Sequence, residues 1–131
     1  MEIRECAIKN PQKYETFWGL YGGFIKEGIA SIIDESERET LYPLLRFRTT
    51  TFPEQWSSLD NYISRMRGGQ KTIYYLLGDD PRSIMRSPHL DYFQRNGYEV
   101  ITLTDPIDSF MVLGLGSYEG FDFKNCASAD I

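Results

Sequence analysis

Apolar positions along this chain follow two periods. From Tyr14 to Ile25 they recur at helical spacing, and Tyr14, Phe17, Trp18, Tyr21, Phe24 and Ile25 fall on one face. Asn10-Pro11 ahead of them reads as a cap followed by a first-turn proline, and Ile3 to Lys9 as a short helix before it. Gly19, Gly22 and Gly23 interrupt the pattern, each costing a helix about 1 kcal/mol relative to alanine. Tertiary packing must hold such a helix, and close approach by a neighbouring helix accounts for the glycines. Gly28 is the expected stop. Asp34 with Glu37 resembles a capping box opening a helix with Leu41, Leu44 and Leu45, which Pro43 interrupts. Thr49 to Trp56 reads as a loop.

Beyond Trp56 the period changes. Ser58 caps one more helical pattern, Leu59, Tyr62, Ile63 and Met66, which Gly68-Gly69 ends. Thr72 to Leu77 is a nearly continuous apolar run, the pattern of a strand buried on both faces. Asp80-Pro81 and Ser87-Pro88 each place a cap before a first-turn proline. Gly97 closes that helical stretch. Tyr98 to Thr104 reads as a second buried strand, Asp105-Pro106 opens a helix with Ile107, Phe110 and Met111 on one face, and Phe121 to Cys126 is a short third strand. Strands alternating with helices imply a parallel sheet with right-handed crossovers. The expected fold is therefore α/β: a short helical coil over residues 1–56, then a small α/β/α subdomain over 57–131 with a three-stranded, mainly parallel sheet.

Composition adds limits rather than direction. A chain of 131 residues buries about two-thirds of its unfolded surface without needing disulfides. Two tryptophans and nine tyrosines supply packing anchors. A net charge of −5 argues against a nucleic-acid-binding domain, which carries a basic stripe. Arg46 with Arg48, Arg65 with Arg67, and Arg82 with Arg86 read as solvated or locally paired groups. The nucleic-acid alternative rests on Arg46, Arg48 and Arg65. Cys6 and Cys126 lack the spacing of a zinc or redox motif. With no signal peptide and no membrane-length apolar run, the setting expected is the cytoplasm.

One stretch looks chemical. "SRMRGGQKTIYYLLGDD", Ser64 to Asp80, puts glycines and a lysine beside a strand and two aspartates at its far end. A phosphate loop, however, runs strand, glycines, helix, so that a helix N-terminus meets the anion. Here the glycines follow a helix, whose C-terminal dipole repels anions. Asp79 and Asp80 stand where ligands bind in open α/β sheets and could hold a metal or act as a receiver-like site. Capping explains Asp80 equally well. Ser87, His89 and Asp91 crowd one helical start, whereas a triad converges from separate elements. The helix after Asp105 adds Val112 and Leu113, more apolar surface than a flat contact with the sheet can cover, which suggests either an interaction surface or contact with the helical part of this chain or with neighbouring domains.

Five blocks taken in order, "KYETFWGLYGGFIKEG", "LLRFRTT", "SLDNYISRMRGGQKTIYYL", "SPHLDYFQRNGYEVITLTDPID" and "YEG", resemble the 90-kDa heat-shock protein family of ATP-dependent chaperones. The wording is most similar to its bacterial, high-temperature protein G branch. The resemblance covers the later part of the family's middle domain. It implies a chaperone fragment that contacts unfolded or partly folded clients and co-chaperones and has no catalytic, cofactor or metal site of its own. ATP and Mg would belong to the full-length homodimer, whose nucleotide pocket and phosphate-contacting arginine lie upstream, beside flanking ATPase and dimerisation domains. By the same resemblance, Phe110, Met111 and Leu113 occupy client-binding positions. Phe110 stands there for a larger aromatic and Ser109 for an acid.

Overall fold

The computed structural model describes residues 11–31, 40–66 and 68–127. The expected helix over residues 3–9, the Asp34/Glu37 capping box, Cys6 and Arg67 lie outside them.

The long helix α1 spans Pro11–Ser31. Its apolar stripe splits. Tyr14, Trp18 and Ile29 are buried, while Leu20, Tyr21 and Phe24 face outward. The helix also runs past Gly28, because burial of Ile29 one residue later outweighs the local cost of glycine. Nor does a neighbouring helix explain the glycines. A Cβ at Gly22 would lie 2.7 Å from the ring of Trp18, one turn earlier in the same helix, whereas Gly19 and Gly23 border open space.

Leu41, Leu44 and Leu45 do not sit on an α-helix. Pro43 instead takes part in a single 3-10 turn, Tyr42–Leu44, after which Leu45 is extended. The backbone then forms β1, Arg48–Thr49, inside a stretch that reads as loop. Helix α2, Leu59–Ser64, carries a complete capping box between Ser58 and Asn61 and ends before Gly68-Gly69. Next come β2, Thr72–Leu77, then α3, Pro81–Met85, and α4, Pro88–Arg95. The second strand, β3, is shorter than the pattern suggests, Ile101–Leu103. After it follow α5, Asp108–Met111, a 3-10 turn, Val112–Gly114, and strands β4, Ser117–Tyr118, and β5, Phe121–Asn125.

The sheet has five strands in the order β1-β3-β2-β5-β4. The expected three form its parallel centre, with Tyr75 opposite Ile101 and Ile73 opposite Phe123. Two-residue antiparallel strands, β1 against β3 and β4 against β5, add the edges. Such short strands leave no alternation for a pattern to detect. The protein is thus α/β, with helices on both faces. One core joins Tyr14, Trp18, Tyr42, Tyr62, Ile73, Ile101 and Met111. The second, on the opposite face, joins Leu76, Ile84, Leu90, Phe93, Val100 and Cys126.

Candidate functional site

Two surface features stand out, and α5 carries the first. Asp105 accepts from the Ile107 N–H at 3.2 Å, and the Asp105 N–H donates to Asp108 Oδ2 at 3.1 Å. These bonds fix the turn that starts α5. The other Asp108 oxygen, Oδ1, meets Lys26 Nζ from α1 at 2.8 Å as an ion pair and has no hydrogen bond besides. The Asp108 side chain is 1% exposed and that of Lys26 12%. Burial pushes the Asp108 carboxyl above the usual carboxylate range, and the Lys26 ammonium opposes that push.

Held from below, the turn sorts its apolar side chains sharply. Met111 is 3% exposed and belongs to the core, whereas Phe110 is 62% and Leu113 84% exposed. Of the three positions expected to bind clients, then, Phe110 and Leu113 lie at the surface and Met111 lies beneath them. The Tyr42 hydroxyl anchors the far end by donating to the Gly114 carbonyl at 3.2 Å.

The second feature is a cleft of about 300 Å³ between α1, β1 and the C-terminal end of β3. Gly19 and Gly23 form one wall and Arg46, Arg48 and Trp56 another. The Arg46 guanidinium lies 4.5 Å from the Tyr14 ring centroid and that of Arg48 4.7 Å from Trp56. Arg46 Nη1 also donates to the carbonyls of Pro43 and Leu45. Burial lowers the Arg46 pKa from its ordinary value, with Tyr14 and Glu15 opposing the shift. The sequence offered a hint of this site in the Arg-Phe-Arg alternation of residues 46–48, which puts both arginines on one side of extended backbone. The partners that make it a cleft are distant in sequence.

The remaining candidates have structural work. Asp80 Oδ1 accepts from the Ser83 N–H at 2.7 Å, and that bond holds its carboxyl below the usual range. No three His, Cys, Asp or Glu side chains converge among the described residues, so the metal or receiver-like alternative for Asp79 and Asp80 finds no support. Ser87 caps α4 by accepting from the His89 N–H, and Asp91 pairs with Arg95 at 3.0 Å. Arg65 forks onto Glu99 through Nε at 3.0 Å and Nη2 at 2.8 Å. Its charge is therefore committed internally, which breaks up the arginine trio of the nucleic-acid alternative. Burial pushes the Cys126 thiol up to about 12, leaving a packing residue rather than a nucleophile. No described helix is long and apolar enough to cross a membrane.

What the described residues offer is surface: an anchored turn with apolar side chains exposed, and an open cleft. The family model described as "Hsp90 protein" matches residues 1–131. The protein named "Chaperone protein HtpG" of Salinispora tropica is 36% identical over 129 residues, 98% of this chain and 20% of that protein. Those of Anaplasma marginale and Halorhodospira halophila are each 40% identical, over 98% and 97% of this chain and 20% of each relative. The chain belongs to the Hsp90 family, and it spans about a fifth of the length of these relatives.

Proposed function

We propose that this chain is the distal middle-domain portion of an ATP-dependent chaperone and that its task is to contact unfolded or partly folded client proteins. The observation that carries this reading is the exposure of Phe110 and Leu113 on a turn whose base is buried. The backbone that presents these side chains is already fixed by its buried support, so binding need order the side chains but not the turn. Met111 then serves as the anchor beneath the contact rather than as the contact itself. Catalysis, on this reading, lies elsewhere in the full-length protein. ATP and Mg bind an upstream domain, a further domain dimerises, co-chaperones share the middle domain, and the whole works in the cytoplasm. On this reading the chain divides near Trp56 into a coil that transmits motion, whose β1 adds an edge to the sheet, and an α/β/α part that presents the turn.

The test is an NMR titration of the chain with a chemically unfolded, alkylated polypeptide. Signals of Phe110 and Leu113 should shift saturably, while those of Phe93 on the opposite face stay put. Shifts absent at both exposed positions under excess polypeptide would remove them from the site. Binding of ATP by the chain alone, in a one-to-one ratio, would overturn the non-catalytic assignment.

A further inference from the structure

The cleft beside α1 has no part in the Phe110 reading, and its chemistry differs. Arg46 and Arg48 are the unusual groups. Arg65 and Arg95 each hold a carboxylate within 3.0 Å. Arg46 and Arg48 meet none among the described residues, although both are already oriented by aromatic rings. Arg46 commits Nη1 to two backbone carbonyls, so its position is fixed while Nε and Nη2 keep their N–H groups. Burial of Arg46 is a cost that Tyr14, Glu15 and Asp60 offset without any ion pair, and an incoming carboxylate would supply the direct contact. A guanidinium that lies over a ring and is anchored through one nitrogen is suited to a carboxylate, which its remaining N–H groups can grip with two parallel bonds.

The rest of the lining narrows the ligand. Trp56 and Pro53 offer apolar surface next to the two charges, and the bare wall at Gly19 and Gly23 lets a backbone approach α1 closely. At the other end Lys26 is neutralised by Asp108 and Asp105, so the positive character is confined to the Arg46–Arg48 end. A volume of about 300 Å³ is at the small end of ligand sites, enough for a pair of side chains. In a chain of net charge −5, a local basic pair does not make a nucleic-acid track. We infer that this cleft binds an acidic peptide segment of a partner protein, with a carboxylate between Arg46 and Arg48 and a neighbouring apolar side chain against Trp56.

The chain has two tryptophans, Trp18 and Trp56, and both line this cleft. Their indole N–H signals therefore report its occupancy. The probes are a five-residue blocked peptide of alternating Asp and Leu, and its Asn-Leu counterpart. The acidic peptide should shift both indole signals saturably, bind at least about tenfold more tightly than the neutral one, and weaken as salt is raised. Arg48→Gln changes an exposed side chain and should keep the remaining spectrum while weakening the acidic peptide about tenfold, the effect of one lost charge-assisted contact. Arg46→Lys keeps the charge but not the fork, and should weaken it as well. Phe110→Ser should leave this binding unchanged, which separates the cleft from the proposed client turn. Four results would each overturn the inference. They are silence of both indoles, equal response to the neutral peptide, reproduction of the shifts by inorganic phosphate at the same concentration, and tighter binding of a single-stranded oligonucleotide.

Discussion

The two faces of the sheet are packed by different means. On the face covered by α3 and α4, the core is small and, Cys126 apart, built from neighbours in sequence: Ile84, Leu90 and Phe93 close over Leu76 and Val100. Its helices are short, and each is started by a side-chain cap, Asp80 or Ser87. On the face covered by α1, α2 and α5, the core draws on residues as far apart as Tyr14 and Phe123. Polar links tie it together over long stretches of sequence, from Lys26 to Asp108 and from Tyr42 to Gly114. Among the described residues, the four most exposed large apolar side chains, Leu113, Phe24, Leu20 and Phe110, all belong to this second face. So does the wall of the arginine cleft formed by α1. One face closes the fold; the other supports groups that the fold does not use.

The strongest way to test that division is to remove the centre of the closing face. Phe93 is buried among the rings of Tyr74 and Tyr98, with centroids 4.7 and 6.1 Å away. Phe93→Ala should cost about 3–5 kcal/mol, measured by urea denaturation. Chain that remains folded should still respond to unfolded polypeptide at Phe110. Loss of that response in the folded fraction would mean the two faces are coupled.

Next in size is the ionic support under the displaying face. Lys26→Met leaves Asp108 buried without its counter-ion, which should cost about 3 kcal/mol at neutral pH. The pH dependence has a definite sign. The folded-state pKa of Asp108 is raised, so its stabilising contribution is present below the ordinary carboxylate range and is lost as pH rises through the folded value. Removing Lys26 raises that value further. The deficit of the variant against the parent should therefore shrink as the pH is lowered toward the carboxylate range, in urea titrations across that interval. A deficit independent of pH would show that the Lys26 stem, and not its charge, does the supporting.

The closing face was also the more legible in the sequence. Its helices announce themselves by Asp80-Pro81 and Ser87-Pro88, local signals that act within one turn. Strand β2 reads correctly to the residue, because Thr72–Leu77 is apolar after its first residue and packs into a core on each side. The displaying face depends on distance. Arg48–Thr49 becomes a strand because β3 offers Thr102 and Ile101 as partners, and nothing in the threonine run says so. The apolar stripe of α1 gives the helix but not how far around it the burial extends; Tyr21 and Phe24 fit the period and remain outside. Helical spacing likewise groups Met111 with Phe110, and only the packing of α1 beneath α5 separates anchor from surface. The cleft was the least visible feature, since Trp18, Arg48 and Pro81 meet only through the fold.

A smaller effect compares a cap on each face. Ser58 Oγ accepts from the Asn61 N–H at 3.1 Å, and the Asn61 side chain returns a bond to the Ser58 N–H at 3.0 Å. Ser58→Ala removes one half of this box and should cost about 1 kcal/mol. Asp80→Asn keeps an acceptor at the corresponding place before α3 and should cost less. It should also remove a pH dependence. The Asp80 carboxyl is held below its ordinary range, so its contribution is present above that range and lost as pH falls through the folded value. Thermal melts of the two variants at neutral and acid pH would read both differences, and an Asp80→Asn variant with unchanged acid sensitivity would assign that sensitivity to other carboxyls.

The smallest stability effect belongs to the turn itself, and there the comparison becomes functional. Phe110 and Leu113 stand largely in water above a buried Met111. Replacing either by serine removes little packed surface, so Phe110→Ser and Leu113→Ser should each stay within about 0.5 kcal/mol of the parent. If these side chains exist to be met by other proteins, binding of unfolded polypeptide should fall severalfold in either variant, by more than any change in stability. Met111→Ala should do the opposite: lose about 2 kcal/mol or more of stability while folded molecules keep most of their binding. A Phe110→Ser variant that loses stability without losing binding would return Phe110 to the core's account and leave α5 as structure alone.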